Sequence, residues 1–377
     1  MILNSLSLCA RVTLDMHSLN NEGTEGNQQQ TRMVHIIDQK GQRAVVNAVS
    51  GDMFKHMLVE HLIPLLQESK QPLSSGAAVG DADRINRDLL GLMQTTKALK
   101  CFCKEELSWL DQAVKSLSKG ATETEDPGSS DEEPEATDEE KEEGKQKKPK
   151  VVPPSQHILA SMLSMCALTD ITGTLMTMKK PGLSLGRKSV VEFGWVVGLP
   201  AQGDGTPLTT TEQYFHVKYA EGRAAATGGE SVAGRQAIFH RPASSGVYAL
   251  ICNLDLYRVG LNDITRKYAV SKSDREKRAK ALIHALAATL VKPTGAQRNT
   301  QNPHIVACEG IVATSATSLP SPTVSPLNDN YRDQMDQVVG VLNGIAPNAT
   351  TAVRFDTLAD GIRALAEIAR QVELSGE

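Results

Sequence analysis

Residues 244–256 read SSGVYALICNLDL, and the fold can be worked out from this stretch. Its apolar run, 247–254, is bounded by small and polar residues, a pattern typical of a buried strand. Downstream, a Ser-x-x-Glu capping box predicts a helix over 273–291. A further apolar run predicts a strand over 305–312. The second half of the chain therefore contributes a strand, a helix and a strand.

The first half of the chain contains the elements that complete this pattern. Residues 3–16 alternate between apolar and polar side chains, which predicts a half-buried strand. Ser50 can cap a helix whose apolar stripe comprises Met53, Met57, Leu58, Leu62 and Leu65. Further strands are predicted over 173–178 and 189–197. With insertions removed, the order strand, helix, strand, strand, helix, strand predicts an α+β, ferredoxin-like fold, which hosts many functions.

The charge of the chain is unevenly distributed. The formal net charge of the 377 residues is −4, but residues 119–150 alone carry −6, which leaves +2 for the rest. A uniformly basic coat for nucleic acid is therefore excluded, and any basic surface is local. Aromatic residues make up only 4% of the chain, which argues against an extensive base-stacking platform. Because residues 119–150 lack large apolar side chains, we expect this segment to be a disordered acidic loop.

The sequence offers no signature of a metal, a cofactor or a membrane span. The six cysteines form no Cys-x-x-Cys pair, and we expect buried, reduced thiols in a cytoplasmic protein. His56 and His61 are five residues apart and do not share a helix face. No phosphate-binding glycine loop of the P-loop type occurs, and no apolar run has the length of a transmembrane helix. We therefore expect no cofactor, no metal and no membrane partner.

Three polar loops are the candidate sites for binding chemistry. The loop 20–27 offers amides, hydroxyls and two glycines, which suit phosphate and ribose contact. The start of the helix after Ser50 presents free N–H groups and a positive dipole to an anion. The loop 295–300 carries amide and guanidinium donors. For each loop an ordinary structural role, as a turn, a helix cap or a surface connection, stays open.

The blocks quoted above occur together with two others, 19–27 and 167–173, in an order that resembles one known family. The chain is similar to the backbone subunit of type I CRISPR Cascade complexes, in its DevR-like, repeat-associated (RAMP-type) branch. The resemblance covers most of the chain. It implies a modified RNA-recognition-motif fold, with a palm, a helical fingers insertion, a thumb β-hairpin and C-terminal helices.

The resemblance also implies a function without catalysis. Several copies would form a head-to-tail homo-oligomer along CRISPR guide RNA, together with other Cascade subunits. Guide bases would then pair with the target DNA strand, and a recruited nuclease would cut. The RNA-binding positions would be Asn20, Asn21, Thr24, Asn27, Ser50, Gly51, Lys55, Gln297, Arg298 and Asn299. Phe239 or His240 would be a wedge in the thumb hairpin, unless it is a hairpin core residue.

The same resemblance divides the chain into segments. The palm would comprise 1–66, 166–202 and 247–316. The fingers would occupy 67–165, with the acidic loop inside them. The thumb hairpin would occupy 203–246, and 317–377 would form a C-terminal loop and two helices.

Two other functions remain open at this point. Related repeat-associated proteins cut RNA, so the chain would be an RNA endonuclease if Asp15, Asp170 or His17 served as acid or base. A cap or turn role for Asp15 and Asp170 is the simpler interpretation. The second alternative is a developmental or transcriptional regulator, although no helix-turn-helix pattern is present.

Overall fold

The computed structural model describes residues 2–20, 23–25, 28–120, 153–201, 205–219, 236–296 and 301–376. The strands are β1 Ser5–His17, β2 Thr24–Glu25, β3 Gln28–Gln29, β4 Met33–Ile37, β5 Arg43–Val49, β6 Thr174–Met178, β7 Leu183–Arg187, β8 Val191–Phe193, β9 Val196–Gly198, β10 Thr209–Tyr219, β11 Gln236–Leu254, β12 His304–Ser315 and β13 Thr350–Phe355. The helices are α1 Gly51–Glu68, α2 Ser75–Ala78, α3 Leu89–Ala98, α4 Lys104–Gly120, α5 Ser155–Met165, α6 Ala167–Thr172, α7 Lys272–Val291, α8 Tyr331–Ile345 and α9 Leu358–Arg370, with short 3₁₀ turns at Arg84–Asp88 and Leu256–Arg258.

The chain forms two compact units. The first comprises Met1–Gln71, Ser189–Gly260 and Val270–Glu377, and the second comprises Pro72–Lys188 and Leu261–Ala269. Residues 166–188, which the sequence assigns to the palm, lie in the second unit.

The central sheet of the first unit has the order β12-β1-β11-β9, with β8 also paired to β11. Leu8 of β1 lies opposite Val312 on one side and Cys252 on the other, both in antiparallel register. Helix α1 follows the first strand of this core and α7 follows the third, so the ferredoxin-like order is confirmed. Strand β13, which the sequence analysis missed, extends the sheet beyond β12, and β5 and β4 extend it beyond β9.

One face of the sheet is covered by helices. Helices α1 and α7 pack on each other, and α9 packs on α7, β12 and β13. Their apolar stripes are buried, with Met57, Leu58, Leu62 and Leu66 of α1 and Leu282, Ile283 and Leu286 of α7 fully enclosed. This burial of apolar area is the main force that holds the first unit together.

The opposite face of β1 is also covered, which the alternating pattern did not predict. Cys9 packs against Tyr331 and Met335 of α8. The Ser7 hydroxyl donates to the Pro322 carbonyl, and Arg11 Nε donates to the Pro326 carbonyl at 2.9 Å. The polar residues of β1 therefore bind the chain segment before α8 instead of facing solvent. In an ordinary RNA-recognition motif the corresponding sheet face stacks bases.

The second unit contains α2 to α6 and the β6–β7 hairpin. The apolar run 158–168 is broken at Cys166, whose extended backbone separates α5 from α6. Helix α4 continues through Lys119 and Gly120, so the first two residues of the segment expected to be disordered are helical. Residues 121–150 of that segment lie outside the described residues.

The predicted thumb hairpin shares a strand with the palm. Strands β10 and β11 pair in antiparallel register from Thr209↔Gly246 to Tyr219↔Gln236. β11 then continues without interruption into the central sheet, where it pairs with β1. The hairpin is therefore continuous with the sheet through β11. Residues 220–235 lie outside the described residues.

The six cysteines are free thiols, but they are not uniformly buried as expected. Cys9, Cys166, Cys252 and Cys308 are buried, whereas Cys101 and Cys103 are exposed. Burial raises the pKa of the Cys9 and Cys308 thiols to about 11, which makes them unreactive at neutral pH. Among the helices of the described ranges, none has the length and apolar character needed to cross a membrane.

Candidate nucleic-acid interface

The candidate site is built where β1 ends. The pairing register shifts between Leu14 and His17, and Met16 adopts a positive φ of 54°, as in a β-bulge. The Met16 N–H donates to the Ser245 hydroxyl on β11 at 2.9 Å. The bulge bends the chain, and the residues that follow are buried although they belong to a polar loop, Asn20 being only 6% exposed.

Asn20 joins this loop to the N-terminus of α1. Its side-chain oxygen accepts a hydrogen bond from the Ser50 N–H at 3.4 Å, and the Ser50 hydroxyl caps the helix by accepting from the Met53 N–H at 3.2 Å. The N–H groups of Gly51 and Asp52 have no acceptor among the described residues. Two first-turn amides thus remain available for an anion, which the helix dipole favours. Lys55, one turn further along, is half-buried.

The third predicted loop borders the same place. The Ala296 N–H donates to the Leu19 carbonyl at 3.3 Å. A β-carbon on Gly295 would lie 2.8 Å from a Leu19 methyl and 2.9 Å from the Met57 methyl, so the loop lies directly on the end of β1 and on α1. The structure thus brings together the loops of Asn20, Ser50 and Gly295.

Several predicted site residues lie outside the described residues: Asn21, Asn27, Gln297, Arg298 and Asn299. Thr24 is described only as backbone, in the short strand β2. Their roles stay predictions.

Of the eight buried side-chain polar atoms that have no hydrogen-bond partner in the described part of the chain, four lie on or next to these loops. They are His17 Nδ1, Ser18 Oγ, Thr294 Oγ1 and Gln301 Oε1, with residue exposures of 2%, 4%, 5% and 9%. We call these four residues the polar wall. A buried polar atom without a hydrogen bond costs about 1–3 kcal/mol. A bound water or a polar ligand that reaches these four atoms would complete their hydrogen bonds. The sequence analysis did not identify Ser18, Thr294 or Gln301.

His17 is held neutral by its surroundings. Its Nε2 lies 2.8 Å from the Tyr248 hydroxyl, which in turn donates to Asn47 Oδ1 at 2.9 Å. Burial lowers the pKa of His17 to about 4. The imidazole therefore carries no charge at neutral pH, and it fixes the end of β1 to β11 and β5.

Two exposed aromatic side chains were also missed. Trp195 lies between β8 and β9, is 47% exposed, and has the Arg32 guanidinium 4.9 Å from its ring centroid. Phe215 of β10 is 73% exposed, and its ring centroid lies 4.6 Å from that of His240. The predicted wedge position His240 is therefore paired with a more exposed ring. The side chain of Phe239, the other predicted wedge, lies outside the described residues.

The residues considered for a nuclease are divided between the two units. Asp170 is fully buried in α6, where it forms an ion pair with Arg187 at 2.8 Å within the second unit. His17 is buried in the first unit and Asp15 is half-buried there, at the end of β1. Across the described ranges no three His, Cys, Asp or Glu side chains are placed to hold a metal ion. The carboxylate of Asp170 is thus a structural charge.

Comparisons with known proteins give a family and distant structural likenesses. A family described as "CRISPR-associated negative auto-regulator DevR/Csa2" matches residues 8–336. A chain of a "CRISPR RNA-guided surveillance complex, pre-nicking" is similar at 13% identity and a TM-score of 0.42, covering 97% of this chain and 100% of that one. A chain of a "CRISPR RNA-guided surveillance complex" is similar at 9% identity and a TM-score of 0.40, covering 96% of this chain and 99% of that one.

A third solved structure, Csc2 of Thermofilum pendens, gives 12% identity and a TM-score of 0.31, covering 96% of this chain and 80% of that one. No curated protein gives a significant match. Since the family match spans most of the chain, this protein belongs to the DevR/Csa2 family of CRISPR-associated proteins.

Proposed function

We propose that this protein is a non-catalytic subunit of a Cascade complex that holds the sugar-phosphate backbone of CRISPR guide RNA. Copies of the chain assemble head to tail along the guide and present its bases to the target DNA strand. Family membership supports the CRISPR context. The observation that carries the proposal is the polar wall beside the unpaired amides of Gly51 and Asp52.

This set of groups suits a backbone and not a base sequence. Main-chain amides and hydroxyls contact phosphate and ribose oxygens, which are the same at every nucleotide. A subunit that holds guides of many sequences needs such contacts, because specificity comes from base pairing. The covered face of β1 also supports RNA binding at the three loops instead of on the sheet. Helix α8 and the chain segment before it occupy the sheet face on which an ordinary RNA-recognition motif binds RNA.

The hairpin supplies the proposed wedge. Phe215, whose ring is tilted by 50° against that of His240, projects from strands that are continuous with the central sheet. An exposed ring on a rigid strand can unstack one nucleotide from its neighbour. We assign the wedge to this pair, with Phe215 as the ring that enters the RNA.

Thr294→Val tests the binding site directly. The substitution keeps the shape of the side chain and removes a buried hydroxyl that has no protein partner. We expect stability to stay equal or to rise, because an unsatisfied polar group disappears. We expect affinity for guide RNA to fall several-fold, measured by fluorescence anisotropy.

Thr169→Val is the matched control. Thr169 is also fully buried with an unpartnered hydroxyl, but it lies in α6 of the second unit. It should show the same effect on stability and no change in RNA affinity. Equal RNA affinity for wild type and Thr294→Val would contradict the assignment of this site.

The family description favours one second candidate function, negative auto-regulation. A regulator would bind the DNA upstream of its own gene in the absence of RNA. Gel-shift titration of that DNA, with and without guide RNA, separates the two functions. We expect no specific shift by the RNA-free protein.

A further inference from the structure

The exposed Trp195 is unusual in a chain with only two tryptophans, because the other, Trp109, is buried at 2% exposure. A tryptophan side chain in contact with water forgoes a large burial energy. Trp195 is kept in place by the Arg32 guanidinium, whose central carbon lies 4.9 Å from the ring centroid. One face of the indole is therefore covered by a cation, while nearly half of the side chain stays open.

The pair lies beside the proposed phosphate site. β5 and β9 pair with Ala48 opposite Val197 and Val49 opposite Val196. Ser50 directly follows the last paired residue of β5, and Trp195 directly precedes the first paired residue of β9. A β-carbon on Gly51 would lie 3.0 Å from the carbonyl oxygen of Gly194, the neighbour of Trp195.

The backbone of Arg32 is hydrogen-bonded to β5. Its carbonyl accepts hydrogen bonds from the Ala48 N–H at 3.0 Å and from Asn47 Nδ2 at 3.1 Å. The aromatic ring, the guanidinium and the N-terminus of α1 thus belong to neighbouring segments of the first unit.

From this juxtaposition we infer that Trp195, backed by Arg32, is a stacking platform for one unpaired nucleobase of the RNA whose phosphate lies at the α1 N-terminus. The inference rests on the proposed function and names a positioning residue for it. Aromatic stacking accepts every base, because each base has a π-face. The guanidinium adds charge attraction for the nucleotide without selecting a sequence. Such a platform orients a base at a fixed distance from its held phosphate.

The two tryptophans allow a direct test with the full-length protein. Single-stranded oligoadenylate RNA is titrated while binding is followed by anisotropy and, in parallel, tryptophan emission is recorded. We expect RNA to quench the emission of wild type and of Trp109→Phe, and to leave the emission of Trp195→Phe unchanged. Trp195→Ala should lose affinity about tenfold, whereas Trp195→Phe should keep most of it. The deoxy form of the same oligomer shows whether the platform also accepts a DNA base.

The outcomes separate the two levels of inference. RNA binding with unchanged Trp195 emission and wild-type affinity of Trp195→Ala would overturn the platform and leave the proposed function intact. Absence of RNA binding by the wild-type protein would overturn both. In the absence of RNA, the emission of Trp195 could become shielded from acrylamide as the protein concentration rises. This result would mean that a second copy covers the indole, and it would overturn the platform.

Discussion

At the residue scale, a single histidine determines how the site responds to pH. The neutral ring of His17 is buried and hydrogen-bonded to the Tyr248 hydroxyl. Burial lowers its pKa from an ordinary value of 6.5 to about 4. As the pH falls below 6.5, His17 becomes protonated in the unfolded chain, whereas in the folded protein it stays neutral down to about pH 4. Stability is therefore lost between these two values and is fully present above pH 6.5.

The predicted loss from His17 amounts to about 3 kcal/mol at the acid end of that window. The measurement is urea unfolding at several pH values for wild type and His17→Gln. Carboxylates contribute equally to both proteins, so the difference between their pH slopes isolates His17. Parallel slopes for the two proteins would show that His17 does not titrate as the structure indicates.

The polar wall could not be found from sequence. Ser50 and Gly51 were identified because a cap residue before an apolar stripe is a local pattern. The missing partners of Thr294 and Gln301 are a property of the folded surroundings. The same holds for the exposure of Trp195, since nothing adjacent in sequence distinguishes it from the buried Trp109.

At the element scale, the close approach of α1 to the β8–β9 connection positions the site. A β-carbon at Gly51 would lie 2.5 Å from the Phe193 carbonyl oxygen, which cannot move away without shifting the strand. Gly51→Ala should therefore destabilise the protein by about 2 kcal/mol or more and weaken RNA binding.

Gly340→Ala is the matched control for this prediction. Gly340 lies inside α8, where a β-carbon would meet nothing within 4 Å. The alanine should stabilise the protein by up to about 1 kcal/mol, because alanine is the better helix former. Thermal unfolding of both variants checks the pair, and a Gly51→Ala protein as stable as wild type would refute the close approach.

The elements with strong periodicity were predictable and the short ones were not. Strand β1 and helix α7 were predicted within two residues of their observed ends. Strand β13 was missed because it has six residues at the edge of the sheet and follows Pro347 and Asn348, which are typical of a turn. The boundary between α5 and α6 at Cys166 has no local sequence signal, because the break interrupts no apolar pattern.

At the scale of the whole molecule, charge is separated between one segment and the rest. Residues 119–150 carry −6 and the remainder +2. Replacing residues 123–144 by a short Gly-Ser linker should strengthen non-specific binding to duplex DNA at low salt, because a source of repulsion is removed. The two proteins should become equal at high salt, where screening suppresses the effect. Unchanged DNA binding at low salt would show that the acidic segment does not repel duplex DNA.

Whether the chain holds guide RNA is shown by the nucleic acid that copurifies with the protein. The full-length protein is co-expressed with a CRISPR array and the neighbouring CRISPR-associated genes, purified, and its nucleic acid is run on a denaturing gel after limited RNase digestion. We expect RNA of discrete length with protected segments at regular intervals, unaffected by Asp15→Ala. A protein free of RNA, or RNA fragments whose pattern changes with Asp15→Ala, would contradict it.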